Sequence, residues 1–330
     1  MEIAAPTLLV LALILAAEFV NGWTDAPNAI ATVVSTRVLS PARALMMASV
    51  LNLLGTLSGT AVAATIGTGI VRPEVIDIYT VGAAMVGIVL WSTLAWYFGL
   101  PTSESHALIA GLTGAALATA GPDALLWFGW RKTFIGLGFS TFLGFSGGLV
   151  LMATLYNLLV KQHPQRIRRV FGKLQVLSAA FMAFSHGSND GQKFIGVFTM
   201  VLVLSGILPA FQIPLWVILL CAGTMALGTA VGGWRIVKTM GRRLTNLKPV
   251  HGFAAETAAA LTIELATRLG IPLSTTHTIN TTIMGVGATR RLSAVRWGVS
   301  RNIAAAWVLT FPACGLISWG VAKVARVVLG

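Results

Sequence analysis

Apolar residues along this chain gather into long runs, and most of the charge is confined to the short loops between them. Ala44–Ile66, Ile78–Phe98, Thr133–Val160 and Asn302–Ala322 each lack any charged residue over the length needed to cross a hydrocarbon layer of about 30 Å. A soluble core accounts for one such run, not for so many. The pattern predicts ten helical segments, five in each half of the chain. The first five are Ala5–Val38, Ala44–Ile66, Ile78–Phe98, Thr102–Ala120 and Thr133–Val160. The second five are Leu174–Ser205, Gln212–Trp234, His251–Leu269, Leu273–Thr289 and Asn302–Leu329. The opening segment of each half is expected to break, near Gly22 and Pro27 in one and near Gly187 in the other. The predicted fold class is an all-α integral membrane protein.

Polar residues interrupt these runs in an order that occurs twice. Phe19-Val-Asn-Gly-Trp-Thr-Asp25-Ala-Pro-Asn28 and Phe184-Ser-His-Gly-Ser-Asn-Asp190-Gly-Gln-Lys193 share Phe, Gly and Asp at an offset of 165 residues, half the chain. Gly99-Leu-Pro-Thr-Ser103-Glu-Ser-His106 matches Gly270-Ile-Pro-Leu-Ser274-Thr-Thr-His277 at an offset of 171. Two motifs in the same order and at similar spacing indicate an internal duplication, with residues 1–165 and 166–330 as the two repeats of one membrane domain.

Composition agrees with the membrane reading: 56% of residues are hydrophobic and 10% charged. The net charge of +13 raises nucleic acid as a partner. The basic residues instead follow the positive-inside pattern of loops in a multi-pass protein surrounded by lipid, so no nucleic-acid binding is expected. Arg37 and Arg43, the loop from Lys161 to Lys173, the cluster from Arg235 to Lys248 and the cluster from Arg290 to Arg301 share one side when that side is the cytoplasm. Glu74 and Asp77 then lie outside, both termini are extracytoplasmic, and the second repeat is inverted relative to the first. Arg131, Lys132, Lys323 and Arg326 run against this pattern. Cys221 and Cys314 sit inside apolar runs, so no disulfide framework is indicated.

Pro101 and Pro272 mark helix starts at membrane depth, followed by Ser and Thr suited to capping. A helix that begins inside the membrane presents unpaired N–H groups and a positive dipole end, which suits an anion. Thr102, Ser103, Ser105, Ser274, Thr275, Thr276 and Gln192 are the candidate anion contacts. Two inverted half-helices of this kind are expected to meet near the midplane. Asp25 and Asp190 are costly in a membrane unless paired, protonated or bound to a cation. With Asn28 and Asn189 as further oxygen ligands they form a candidate site for Na⁺ or a proton, and Glu256 is a candidate for proton handling. Glu264 has Arg268 as a possible ion-pair partner one turn away. Lys193 is open to two readings, an anion contact or a counter-ion for Asp190.

The stretch from Gly22 to Pro41, the stretch Ser185–Lys193, both proline-led motifs and Gly252-Phe-Ala-Ala-Glu-Thr-Ala-Ala-Ala260 resemble the PiT inorganic phosphate transporter family, in particular its bacterial low-affinity branch. The similarity spans nearly the whole chain. The resemblance implies phosphate uptake across the cytoplasmic membrane coupled to H⁺ or Na⁺, no other cofactor, inverted repeats and a homodimer. The chain departs from the family's Gly-x-Asn-Asp-x-x-Asn pattern at Thr24 in the first copy and Lys193 in the second.

Three rival functions remain at this level. A sulfate permease of the same fold is one, and a passive anion channel, disfavoured by two buried acids, is another. The third is an intramembrane hydrolase using Ser103, His106 and Asp25. Duplication of the acid and hydroxyl sites argues against it, since a hydrolase needs one set.

Overall fold

The computed structural model describes residues 4–329, and among these it is helical apart from turns and one isolated bridge between Val71 and Leu125. The first half contains α1 (Ala5–Ser35), α2 (Pro41–Thr56), α3 (Ala61–Gly69), α4 (Ile78–Tyr97) and α5 (Glu104–Ala120). It ends with α6 (Trp127–Gly138) and α7 (Gly144–Leu159), which a π-helical turn at Phe139–Leu143 joins into one span. The second half contains α8 (Pro164–Leu204), α9 (Leu215–Val231), α10 (Trp234–Lys238), α11 (Pro249–Arg268), α12 (Thr275–Ala288) and α13 (Trp297–Leu329).

Among the described residues four helices, Ala5–Ser35, Ile78–Tyr97, Trp127–Leu159 and Trp297–Val328, are long and apolar enough to cross a membrane. Two bent pairs raise the number to six. The stretches expected as straight spans at Ala44–Ile66 and Gln212–Trp234 are these bent pairs: α2 and α3 meet at 68°, and α9 turns by 58° into the segment Trp234–Gly241. With 17 and 14 residues, α5 and α12 are half-helices. At about 1.5 Å per residue neither reaches across about 30 Å of hydrocarbon.

The breaks expected near Gly22, Pro27 and Gly187 are absent: α1 is continuous through Gly22 and Pro27, and α8 through Gly187. The glycines serve close packing. A Cβ on Gly22 would stand 2.3 Å from Met225 O on α9, and one on Gly228 would stand 2.1 Å from Phe19 O on α1. In the other half, a Cβ on Gly187 would lie 2.2 Å from Asn52 O on α2, and one on Gly55 would lie 2.0 Å from Phe184 O on α8. Backbone meets backbone at both crossings, the small-residue packing typical of membrane helices.

Two apolar cores result, and α1 and α8 pass through both. The first core takes Val10 to Ala17 from α1 and Phe194 to Leu202 from α8. The second takes Ala29 to Val33 from α1 and Ala179 to Ala183 from α8. Going along the chain, α1 passes from the first core to the second while α8 passes from the second to the first, so they run in opposite directions. The polar stretches 18–28 and 184–193 fall at the seam between the cores.

Candidate functional site

Each half-helix starts where a proline forbids its predecessor. Pro101 and Pro272 bias the residue before them away from helical backbone, and the helices begin only after Ser103 and Ser274. These serines are N-caps, accepting the N–H groups of His106 at 3.2 Å and His277 at 3.1 Å. The two starts meet: the rings of His106 and His277 lie edge to face with centroids 4.6 Å apart, and His277 stacks on Trp307 at 3.6 Å.

Both acids lie at the seam, with Asp25 3% and Asp190 1% exposed. Thr276 donates its hydroxyl to Asp25 at 3.3 Å, and Thr275 donates to Asp190 at 2.8 Å. Asn28 donates its amide to the same two hydroxyl oxygens, at 3.3 Å to Thr275 and 3.0 Å to Thr276. The first turn of α12 is therefore clamped between the acids of α1 and α8. Asp190 also pairs with the Lys193 ammonium, which in turn donates to Ser105 and to Leu273 O.

His186 completes the cluster, since one ligand atom from each of Asp25, His186 and Asp190 falls within 4.8 Å of the others. A chain of hydrogen bonds orients its ring. Thr229 donates to Met225 O at 2.9 Å and accepts the Asn52 amide at 2.9 Å. Asn52 Oδ1 thus faces His186 Nδ1 at 3.1 Å, which places the proton on Nδ1. Nε2, buried and without a hydrogen-bond partner among the described residues, lies 3.4 Å from Asp190 Oδ2 and offers its lone pair when the ring is neutral. Two carboxylates and a lone pair converge, which is a ligand set for a cation or proton.

The remaining sequence candidates have other partners. Ser105 donates to Leu273 O at 2.7 Å and so ties α5 to the start of α12. Ser103 and Ser274 are committed to capping, and Ser274 Oγ also meets His277 Nδ1 at 2.6 Å. Thr102 is buried beside them. Gln192 accepts from Val62 N at 2.9 Å and donates to Ser188 O at 2.6 Å, anchoring the start of α3. Asn189 donates to Thr267 and to Ile271 O, leaving its Oδ1 unpartnered.

Glu256 stands apart from the acid pair. It accepts from Thr32, Gln175 and Ser178. Thr32 lies about 10 Å along α1 from Asp25, and Ser178 about 18 Å along α8 from Asp190, at about 1.5 Å per residue. Glu264 and Arg268 form the anticipated ion pair, at 3.1 Å. Sequence reasoning passed over His186, although its place one turn before Asp190 was a usable signal. It also passed over Glu104, held by Thr24 at 2.9 Å and Ser92 at 2.7 Å, and Glu18, held by Asn21 at 2.9 Å.

Comparison with known proteins points one way. A model described as the phosphate transporter family matches residues 21–318. A probable low-affinity inorganic phosphate transporter of Rhizobium meliloti (strain 1021) is 47% identical over 303 residues, 91% of each chain. A protein of the same description from Bacillus subtilis (strain 168) is 38% identical over 309 residues, 93% of each chain. Among solved structures, one described as the sodium-dependent phosphate transporter superposes with a TM-score of 0.85 over 98% of this chain and 100% of that one, at 24% identity. That last likeness is one of fold.

Proposed function

This chain belongs to the phosphate transporter family, and on that footing we propose that it imports inorganic phosphate across the cytoplasmic membrane together with H⁺ or Na⁺. It is a multi-pass membrane protein and not an enzyme. The observation that carries the coupling proposal is the threonine clamp. Thr275 and Thr276, in the first turn of a half-helix, donate their hydroxyls to Asp190 and Asp25. A cation bound at Asp25 beside His186 neutralises the carboxylate that has no ammonium partner and frees the Thr276 hydroxyl, with the N-terminal end of α12, for an anion. Cation and anion binding then support each other.

The two halves act as inverted repeats in this reading, residues 1–165 and 166–330. Support comes from the opposed paths of α1 and α8 between the cores and from the matched glycine crossings. Loop charge adds a sidedness, with both termini outside. A cysteine beside Glu74 is expected to react with an impermeant thiol reagent added outside intact cells, and one beside Arg168 is not. Equal labelling of both would overturn the inversion. Assembly as a homodimer and a role for Glu256 in passing protons belong to the same proposal.

Phosphate is favoured over sulfate by the acceptors in the site. At neutral pH phosphate still carries a proton to donate to a carboxylate or amide oxygen, and sulfate does not. An unmatched acceptor in a buried site costs about 1–3 kcal/mol, which is about fivefold to 150-fold in affinity. In reconstituted vesicles, excess arsenate is expected to block labelled phosphate uptake while equal sulfate leaves most of it intact. Block by sulfate without block by arsenate would reverse the assignment.

A further inference from the structure

Lys193 is one of the largest fully buried side chains in the protein, and its ammonium has three partners. These are a carboxylate oxygen of Asp190, the Ser105 hydroxyl oxygen and Leu273 O, the last at 3.1 Å. An ammonium has three protons and no acceptor, so this set uses its whole hydrogen-bonding capacity. No donor is left over for phosphate. Of the two roles open to this residue, anion contact and counter-ion, the geometry leaves the second.

Its surroundings say more. Carboxylate, hydroxyl and backbone carbonyl are the oxygens that hold a hard cation. The residues that supply these oxygens have counterparts in the other half under the motif offsets. Asp190 corresponds to Asp25, Ser105 to Thr276, Leu273 to Thr102, and Lys193 to Asn28. The contact between Asp25 and Thr276 is present at 3.3 Å. The residue matching Lys193 is a neutral amide, turned instead to the hydroxyl oxygens of Thr275 and Thr276. Related positions thus differ in charge: among the described residues Asp190 has an ammonium partner and Asp25 has no ion-pair partner.

We propose that the Lys193 ammonium is a tethered cation occupying the second half's copy of a cation position, so that one transported cation, bound through Asp25, accompanies each phosphate where an asparagine at 193 would admit two. The proposal rests on the coupled-transport reading above. A lysine at this point fixes one charge permanently and removes one ion from the cycle. It also keeps Asp190 from repelling the anion whatever the ion concentration outside.

The test is equilibrium phosphate binding to the purified full-length protein, measured against sodium (choline replacing it at constant ionic strength) and separately against pH without sodium. Below saturation, one linked cation raises phosphate affinity about tenfold per tenfold rise in that cation, and two raise it about a hundredfold. The wild type is expected to show the first dependence and Lys193→Asn the second. Lys193→Gln, neutral and close to lysine in length, is expected to share the steeper dependence of Lys193→Asn and decides the matter if Lys193→Asn does not fold. A second linked cation in the wild type, or a dependence unchanged from the wild type in whichever neutral variant folds, would overturn the tether. No cation dependence in the wild type would instead overturn the coupling on which it rests.

Discussion

Asp25→Asn is expected to abolish gradient-driven phosphate uptake while the amount of folded protein in the membrane stays close to that of the wild type. Asparagine keeps the size of the side chain and can still accept the Thr276 hydroxyl, so the clamp on α12 survives. What disappears is the negative charge without a fixed counter-ion, and with it the cation's reason to bind. Unit charges about 4 Å apart at an effective dielectric near 20 interact by roughly 4 kcal/mol, about a thousandfold in affinity. A cation that contributes this attraction to an anion contributes nothing once it is not held. Asp190→Asn is expected to fail differently. It strands the Lys193 ammonium, buried to 1% exposure, and breaking a buried ion pair from one side costs about 3–5 kcal/mol. Its uptake loss should come with a visible drop in folded protein, which separates the two acids in one experiment that measures uptake per molecule and membrane content side by side.

Gly187→Ala is expected to remove most of the folded protein, though it adds a single methyl group. That methyl would stand 2.2 Å from Asn52 O and 2.7 Å from Asn52 Cα. The obstructing atoms are backbone, so no rotamer change relieves the clash and α2 must move off α8. Overpacking that side chains can absorb costs about 1–3 kcal/mol. Here the cost belongs at or above the top of that range. Displacing Asn52 would also turn His186, because Asn52 Oδ1 sets the ring. Gly223→Ala is the control: it sits inside α9 with nothing within 4 Å of the added carbon. Melting temperature and the monodisperse fraction in detergent measure both variants. Equal stability of the two would mean that the α2–α8 crossing is not as tight as described.

Much of this arrangement is legible in the sequence, for reasons that can be named. The half-helices are readable because proline, then serine two residues later, specifies a stop and a cap from local chemistry alone, and does so twice. Asp25 and Asp190 stand out because an acid inside an apolar run has few ways to be tolerated. The breaks expected in α1 and α8 do not occur, because glycine admits two readings, a bend or a close approach. Only the partner helix decides, and Met225 and Asn52 are far off in sequence. Lys193 could not be resolved from sequence for the same reason, since one of its partners, Ser105, is 88 residues away. The position of His186 one turn before Asp190 is legible in the sequence, but the orientation of its ring is not, since that depends on Asn52 and Thr229. The surroundings of Glu256 are not legible in the sequence, because Thr32, Gln175 and Ser178 come to it from α1 and α8, far off along the chain.

The most direct test of the central claim, that a cation at Asp25 is what lets the anion bind, is labelled phosphate accumulation in proteoliposomes with an imposed sodium or proton gradient, wild type beside Asp25→Asn. Accumulation above the outside concentration in the wild type, collapsing when an ionophore dissipates the gradient and absent in the variant, is the predicted result. Equal, gradient-dependent accumulation by both proteins would contradict the account.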